Sequence, residues 1–299
     1  MRVGAFEVNE PLPRLKKTHA LTILRPWIDV GSVGTLTLTW LEKACHAGQL
    51  AQLSRPGNFF DFTRYRPMLY LSEGRRQVTI PNCYINYAQR PTGNDFLFLH
   101  LLEPHMHSEV FIDSVLRLLD MFEIQRYYLV GSMYDFVPHT RPLLVTGGAT
   151  GKDAEEDSRK IGLLTSDYEG PITVFFLVSE RISERGTDSM SMIVHLPQYT
   201  QLDEDYIGVS RLMKIFSSLY DVPVSEGNIK QADWQYEQIS AQVAKNPQVQ
   251  EIIGHLEAHY DARVAKKKAE AEEKEEKLPT LSPEVEKFLR EMERRFRKN

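Results

Sequence analysis

Short apolar runs alternate along this chain with segments whose apolar residues recur every three or four positions. Residues 95–102 and 126–133 are the clearest runs, and residues 143–145 and 190–196 are two more. Apolar residues at helical spacing follow the first of these runs. Strands that alternate with helices in this order predict a mainly parallel sheet with right-handed crossovers, because each helix returns the chain to the same end of the sheet.

Residues 21–41 predict a strand, a tight glycine turn and a helix near the start of the chain. Gly31 and Gly34 lie in the turn, where only glycine supplies a positive φ or a close backbone approach without strain. A dinucleotide-binding fingerprint would place a further glycine at position 29, where this chain has Asp29. The stretch therefore indicates an α/β unit but weakens a nucleotide-binding interpretation.

Two further segments carry specific expectations. Residues 77–88 are rich in β-formers and predict one strand, in which Pro81 favours an edge position or a bulge. A helix is expected to start at Tyr168-Glu169-Gly170-Pro171. Its body, residues 172–182, is apolar nearly all round, which is typical of a helix enclosed on all sides.

Residues 55–67 combine aromatic side chains with arginine, proline and glycine. Phe59, Phe60, Phe62 and Tyr65 could form a stacking platform for nucleic-acid bases, or a loop that folds over the sheet edge. The net charge of −5 favours the loop, because no overall basic field would attract a polyanion.

Composition places the chain among ordinary globular proteins. It has 299 residues, of which 42% are hydrophobic and 26% charged. Neither a secretory signal at the amino terminus nor an apolar run of membrane-spanning length is recognisable, so the expected location is the cytoplasm, without membrane contact. The two cysteines, Cys45 and Cys83, have no CxxC spacing and are interpreted as buried thiols in a reducing compartment.

Four segments are predicted along the chain. Residues 1–202 form an α/β core, and residues 203–262 form a C-terminal helical addition. Residues 263–281 are a charged linker or an exposed helix, because they consist largely of alanine, lysine and glutamate. Residues 282–299 predict an amphipathic helix that folds back on the core, pairs with another copy or binds a partner. The apolar stripe that makes it a candidate partner-binding segment consists of Val285, Phe288, Leu289, Met292 and Phe296.

No catalytic motif is complete. A phosphate-binding loop at residues 146–153 would need a glycine in place of Thr146 and a hydroxyl in place of Asp153. A nucleophile elbow around Ser32 would need a glycine in place of Val30. Glu103, His105 and His107 could approach a metal ion, but loop histidines more often serve as caps or satisfied polar groups. We therefore expect no catalytic residue, no metal and no cofactor.

A ligand-binding crevice remains a second hypothesis, because open α/β sheets bind ligands outside the carboxyl ends of their strands. Several residues are predicted near such ends and are candidates for lining this crevice. They are Asp29, Gly31, Gly34, Glu103, Gly131 and His195.

Seven landmarks, in order between residues 12 and 262, resemble the prokaryotic branch of the proteasome assembly chaperone 2 family. They are Trp27-Ile28-Asp29-Val30-Gly31-Ser32-Val33-Gly34, Phe60-Asp61-Phe62 with Arg66-Pro67, Leu102-Glu103-Pro104, Gly131-Ser132, Tyr168-Glu169-Gly170-Pro171, Pro197 with Tyr199, and Leu256-Glu257 with Tyr260-Asp261.

The resemblance implies a fold and a role. The implied fold is a three-layer α/β/α core with a mainly parallel sheet, similar to the purine nucleoside phosphorylase fold, plus C-terminal helices. The implied role is that of a scaffold, since eukaryotic members hold proteasome α-ring subunits during assembly and several prokaryotic members self-associate. Some archaeal relatives dock through a hydrophobic-Tyr-x ending, whereas this sequence ends Phe296-Arg297-Lys298-Asn299.

The sequence thus favours a non-enzymatic, self-associating scaffold or protein-assembly factor. Its expected partners are proteins, with proteasome subunits among them, and other copies of the chain, and it is not expected to bind nucleic acid. The alternative is a small-molecule binding protein or hydrolase that uses the strand-end crevice.

Overall fold

The computed structural model describes residues 1–224 and 226–276, and its strands and helices alternate along the chain. The strands are β1 Arg2–Val3, β2 Phe6–Val8, β3 His19–Arg25, β4 Gly48–Leu53, β5 Met68–Ser72, β6 Arg75–Thr79, β7 Tyr84–Ala88, β8 Phe96–Leu102, β9 Arg126–Asp135, β10 Val145–Gly147, β11 Ala149–Thr150, β12 Leu164–Thr165 and β13 Asp188–Pro197. The helices are α1 Val33–Ala44, α2 Ser108–Met121, α3 Lys152–Lys160, α4 Val174–Glu184, α5 Tyr206–Tyr220, α6 Glu226–Val243 and α7 Pro247–Glu276.

A large mixed sheet forms the middle layer. Its centre is a parallel block in the order β8-β3-β9-β13, which is extended by antiparallel neighbours on both sides. The outer strands β7, β4, β2 and β1 follow β8, and β10 and β11 both pair with β13. The predicted mainly parallel α/β sheet is confirmed at the centre, where consecutive strands are joined through helices.

Helices cover both faces of the sheet, because side chains of successive strand residues point to opposite sides. On β3, Ala20 and Leu24 belong to one apolar cluster, together with core residues of α2 and α4. Leu21 and Ile23 belong to the other cluster, together with core residues of α1 and α5. The three-layer α/β/α architecture is therefore confirmed, and α5 is part of one covering layer.

The single strand expected over residues 77–88 is wrong. The chain forms β6, leaves the strand conformation around Pro81 and then begins β7, which pairs with β4 and β8 in the large sheet. Proline cannot donate a backbone hydrogen bond, which accounts for the interruption. Strand β6 pairs instead with β5, and these two strands form a separate two-stranded sheet.

The expectation of a fully enclosed helix at residues 172–182 is also wrong. Helix α4 begins at Val174, three residues beyond Pro171, and buries Phe175, Val178 and Ile182 against the sheet. Phe176 and Leu177 on its outer side are exposed. Apolar residues occur on both sides of the first turns of this helix, but only one side of it packs on the sheet.

The aromatic loop folds against the sheet. Phe59 and Phe60 are buried, and Phe62 and Tyr65 pack against the same apolar cluster. Tyr65 also donates a hydrogen bond to the carbonyl of Glu103 over 3.2 Å. These rings are therefore part of the core, as the loop interpretation predicted.

The described chain comprises one compact unit from Met1 to Glu257 and a second that begins at Ala258. Residues 263–276 are helical and belong to α7. The predicted amphipathic stripe of Val285, Phe288, Leu289, Met292 and Phe296 lies outside the described residues. The four segment boundaries stay a prediction. Among the described residues, none of the helices has both the length and the hydropathy of a membrane-spanning segment.

A buried polar network joins α5 to the amino ends of β3 and β9. Nδ1 of His19 lies 2.6 Å from the hydroxyl of Tyr220, which donates to the hydroxyl of Tyr128 over 2.7 Å. The amide nitrogen of Asn94 lies 3.1 Å from Nε2 of His19. The Tyr220 hydroxyl donates its proton to Tyr128, so it accepts a hydrogen bond from Nδ1 of His19, and the Asn94 amide donates to Nε2. His19 therefore fits this network as a neutral imidazole with its proton on Nδ1.

Acid should weaken the fold through His19. Burial, followed by the positive charge of Arg126, lowers the pKa of His19 from 6.5 to about 4. As the pH falls below 6.5 the unfolded chain takes up a proton at His19, whereas the folded chain takes it up only near pH 4. The contribution of the neutral His19 to the free energy of unfolding is therefore complete above pH 6.5 and is lost on acidification. At about pH 5 the loss should be ~2 kcal/mol.

The test is urea unfolding of the wild type and of His19→Gln at about pH 7.5 and about pH 5. The free energy of unfolding of the variant should fall by about 2 kcal/mol less than that of the wild type between the two pH values. His46→Gln, at an exposed position, should retain the wild-type pH dependence. The assignment fails when His19→Gln and the wild type lose equal stability.

Candidate protein-docking surface at the carboxyl edge of the sheet

A glycine corner, formed by residues 28–34 and 131–132, lies where the chain leaves β3 and passes over β9. The amide of Ser132 donates to the carbonyl of Ile28 over 2.8 Å, and its hydroxyl donates to the carbonyl of Val30 over 2.6 Å. A Cβ atom at Gly131 would lie 2.4 Å from the Ile28 carbonyl oxygen. Glycine at position 131 is therefore what permits the chain after β3 to rest on β9.

Asp29 ties the same corner to α1. One carboxylate oxygen accepts from the amide of Thr35 over 3.0 Å, and the other accepts from its hydroxyl over 2.5 Å. Burial raises the pKa of Asp29, whereas the hydrogen bonds from Thr35 and Gly34 act in the opposite direction. A Cβ atom at Gly34 would meet Ile23 at 2.8 Å, so this glycine serves a close approach. Gly31 has a φ of 59°.

Helix α5 begins against the glycine corner. The amide of Asp205 donates to the carbonyl of Gly31 over 2.8 Å, and the hydroxyl of Ser32 donates to the carbonyl of Asp203 over 3.0 Å. The buried Asp205 carboxylate caps α5 by accepting from the amide of Gly208 over 2.8 Å. The corner therefore fixes α1, α5 and the end of β3 relative to one another.

Glu103 occupies the carboxyl end of β8, next to the end of β3. One of its carboxylate oxygens accepts from the amide of Val174 at the start of α4, over 3.0 Å. Burial raises the pKa of this carboxyl group. Its second oxygen and Nε of Arg25 are both buried, and within the described chain neither has a hydrogen-bond partner. Unsatisfied polar atoms of this kind are uncommon in folded proteins.

His195 lies near the carboxyl end of β13 in a linear polar arrangement. Its Nδ1 lies 2.7 Å from a carboxylate oxygen of Asp135, and its Nε2 lies 2.7 Å from the hydroxyl of Thr146. A hydroxyl, an imidazole and a carboxylate in this order have the geometry of a hydrolytic triad. Both the hydroxyl and the imidazole belong to buried residues, however, so the arrangement joins β9, β10 and β13 within the core.

The structure brings Asp29, Gly31, Gly34 and Gly131 together in the glycine corner. Glu103 and His195 lie on opposite sides of it, since β8 precedes β3 and β13 follows β9 in the sheet. Three strand spacings separate β8 from β13, or about 14 Å. Whether the six residues line a ligand crevice stays a prediction.

Two hollows of the described chain lie elsewhere and are lined by none of these six residues. One, of about 410 Å³, is lined by residues at the amino ends of β3 and β9, including His19 and Arg126, and by α3. The other, of about 510 Å³, lies beside Cys45 and Arg90. Among the described residues no group of three or more His, Cys, Asp or Glu is arranged to hold a metal ion.

Exposed apolar side chains follow the carboxyl ends of all four central strands. We define the carboxyl-edge surface as Trp27 after β3, Met106 after β8, Phe136 after β9, Tyr199 after β13, and Ile172 just before α4. Trp27 and Phe136 are 64% and 65% exposed. Parallel strands place these loops at one edge of the sheet, and the bond from Val174 to Glu103 brings the start of α4 there.

Such a row of exposed large side chains is typical of a protein-binding surface. Sequence reasoning missed it, as well as the partners Thr146 and Asp135 of His195. The landmark Trp27-Ile28-Asp29 contained the relevant tryptophan. Whether its side chain is exposed depends on the conformation of the loop after β3, which apolar periodicity does not reveal.

The comparisons with known proteins agree on the fold. A model of the PAC2 family matches residues 23–245. No curated protein matches the sequence. A Mycobacterium tuberculosis protein of unknown function, Rv2714, is similar in structure, with a TM-score of 0.77 and 21% identity over 91% of this chain and 93% of that one.

Two other similar structures carry functional descriptions. The M. tuberculosis proteasome-assembly chaperone homologue Rv2125 has a TM-score of 0.69 and 20% identity, over 79% of this chain and 99% of that one. PbaB of Pyrococcus furiosus, an archaeal proteasome activator, has a TM-score of 0.60 and 16% identity, over 80% of this chain and 98% of that one. At these identities the likeness shows a shared fold.

Gly131→Ala should destabilise the protein, because the added Cβ atom would press on the Ile28 carbonyl at 2.4 Å. The expected loss in the free energy of unfolding is about 1–3 kcal/mol, measured by urea denaturation. Gly148→Ala is the control, because no heavy atom lies within 4 Å of the corresponding Cβ position. Equal stability of the two variants would contradict the close approach at the corner.

Proposed function

The chain belongs to the PAC2 family, and on that premise we propose that it is a self-associating protein-assembly factor whose partners are proteasome subunits. It acts by binding polypeptides at the carboxyl-edge surface and makes or breaks no covalent bond. This is a role carried out in the cytoplasm. The descriptions of Rv2125 as a proteasome-assembly chaperone homologue and of PbaB as a proteasome activator support the choice of partner.

The exposed row of apolar side chains at the ends of the four central strands is the observation that carries this proposal. Trp27 is a large aromatic residue in a position that solvent reaches, although tryptophan is usually well buried in folded proteins. Tryptophan is also enriched among the residues that dominate the energy of protein interfaces. The glycine corner holds the base of the Trp27 loop in place, so little ordering is needed when a partner binds.

Two buried polar atoms lie beside this surface. Glu103 and Arg25 each leave one atom without a hydrogen-bond partner in the described chain. Tyr65, which donates to the carbonyl of Glu103, links this pair to the aromatic loop. Both atoms are buried, so a partner would not contact them directly; the uncovered aromatic rings are the part of this edge that a partner would cover.

The hydrolase alternative has one observation in its favour, the order of Thr146, His195 and Asp135. Hydrolysis by such a group needs a hydroxyl that contacts the substrate carbonyl. Thr146 and His195 are 5% and 4% exposed, and the hydroxyl of Thr146 already bonds to Nε2 of His195. A role in joining strands accounts for all three residues, so we do not assign catalysis to them.

Trp27→Ala should weaken the binding of purified proteasome α subunits encoded by the same genome. Loss of a central aromatic contact should raise the dissociation constant by about 30-fold, which corresponds to ~2 kcal/mol. The measurement is isothermal titration calorimetry, together with thermal unfolding to show that the exposed substitution leaves the fold intact.

Trp234→Ala is the matched control, because Trp234 lies on α6 and is 62% exposed, close to the 64% of Trp27. Its dissociation constant should equal that of the wild type. Binding that survives Trp27→Ala but is lost in Trp234→Ala would move the interface to α6. Absence of any binding by the wild-type chain would reject proteasome subunits as the partner.

A further inference from the structure

The hairpin of β5 and β6 belongs to the large unit, and within the described chain nothing covers either of its strands. Every residue of β6 is exposed, as are Met68, Leu69, Tyr70 and Leu71 of β5. Leu71 is 73% exposed. No other strand of the described chain pairs with either outer edge of this hairpin. A two-stranded hairpin without such support is only marginally stable in water.

The register of the hairpin divides its side chains between two faces. Glu73 and Gly74 form the turn with φ values of 49° and 74°, as in two-residue hairpin loops. Leu69 faces Val78 across the strands, and Leu71 faces Arg76. Residues opposite each other share a face, so Leu69, Leu71 and Val78 lie on one face, which also carries Arg76. Exposed apolar area of this kind indicates a protein contact.

The two outer edges differ in charge. Strand β6 carries Arg75 and Arg76, and charged residues on an edge strand oppose pairing with another strand. Strand β5 has the sequence Met68-Leu69-Tyr70-Leu71-Ser72 and contains no charged residue. The edge of β5 is therefore the one open to a further strand, and it requires an uncharged, apolar strand as its neighbour.

We propose that β5 pairs in antiparallel orientation with β5 of a second copy of the chain, with Tyr70 opposite Tyr70. This inference rests on the proposed self-association and names its surface. In this register Leu69 lies opposite Leu71 and Met68 lies opposite Ser72, so the whole strand pairs with no charge across the interface. The result is a four-stranded sheet with a two-fold axis, which satisfies both the open edge and the need for more than two strands.

The strand ends support this register over its neighbours. A shift that centres the pairing on Leu69 would bring Pro67 into the ladder, where it cannot donate a hydrogen bond. A shift that centres it on Leu71 would place Glu73 opposite Leu69. Centring on Tyr70 avoids both and pairs the strand over its full length, from Met68 to Ser72.

Cysteine cross-linking tests the register. Opposite residues of an antiparallel pair have Cα atoms about 4.5–5.5 Å apart, which is within the range that a disulfide bridges. Tyr70→Cys should form a covalent dimer under mild oxidation.

Gln77→Cys is the matched control, since Gln77 lies opposite Tyr70 within the hairpin but on β6. The wild type gives the baseline for Cys45 and Cys83, which are half-buried and buried. The covalent dimer should form about tenfold faster for Tyr70→Cys than for Gln77→Cys or for the wild type.

Leu71→Glu tests the contribution of the apolar pair, with Gln77→Glu as the control for an added charge on the hairpin. Analytical ultracentrifugation should show the wild type and Gln77→Glu as oligomers. Leu71→Glu, exposed and therefore expected to fold, should have a dissociation constant raised about 100-fold, because its carboxylate would lie opposite Leu69 of the other copy.

The outcomes separate this inference from the proposed function. An oligomeric wild type that neither cross-links through Tyr70→Cys nor responds to Leu71→Glu would overturn the β5 contact and leave self-association to another surface. Equal cross-linking of Tyr70→Cys and Gln77→Cys would overturn the register. A wild type that is monomeric at about 100 μM, far above the dissociation constant of a specific interface, would overturn self-association itself.

Discussion

The approach of the Ile28 carbonyl to the backbone of Gly131 is the contact on which the carboxyl edge of the sheet depends. No side chain fits between them, since a Cβ atom at position 131 would lie 2.4 Å from that oxygen. Ser132 then holds the same segment through two hydrogen bonds. The chain beyond β3 is thereby fixed across β9, and Asp29 and Gly31 fix α1 and α5 to it in turn.

The two edges of the parallel block differ in character. At the amino edge, His19, Tyr220, Tyr128 and Arg126 form a continuous hydrogen-bonded network, although Nε of Arg126 lacks a partner in the described chain. At the carboxyl edge, aromatic and aliphatic side chains stand in solvent beside buried polar atoms that lack partners. Unpartnered buried atoms occur at both edges, so the exposed apolar side chains are what distinguish the carboxyl edge, and such side chains are typical of an edge that binds another molecule.

The sequence predicted the elements whose pattern is set by burial on both sides, such as β8 and β9. It also predicted that glycines would mark the turn after β3, and the family resemblance is confirmed by the match over residues 23–245. The β5–β6 hairpin was missed because its apolar residues are exposed and its Glu73-Gly74 turn is a weak signal. Helix α4 was misjudged because an apolar outer face does not show whether another element covers it. The contact of Gly131 with Ile28 joins residues a hundred positions apart, which local periodicity cannot reveal.

The central claim is that partner proteins bind the carboxyl edge of this sheet. Hydrogen exchange measured by mass spectrometry, on the chain alone and saturated with proteasome α subunits of the same genome, tests it most directly. The account predicts slower exchange in residues 26–30, 104–107, 136–140 and 198–204, which follow the four central strands. Protection confined to α3 and the residues before β3, with none at these loops, would contradict it.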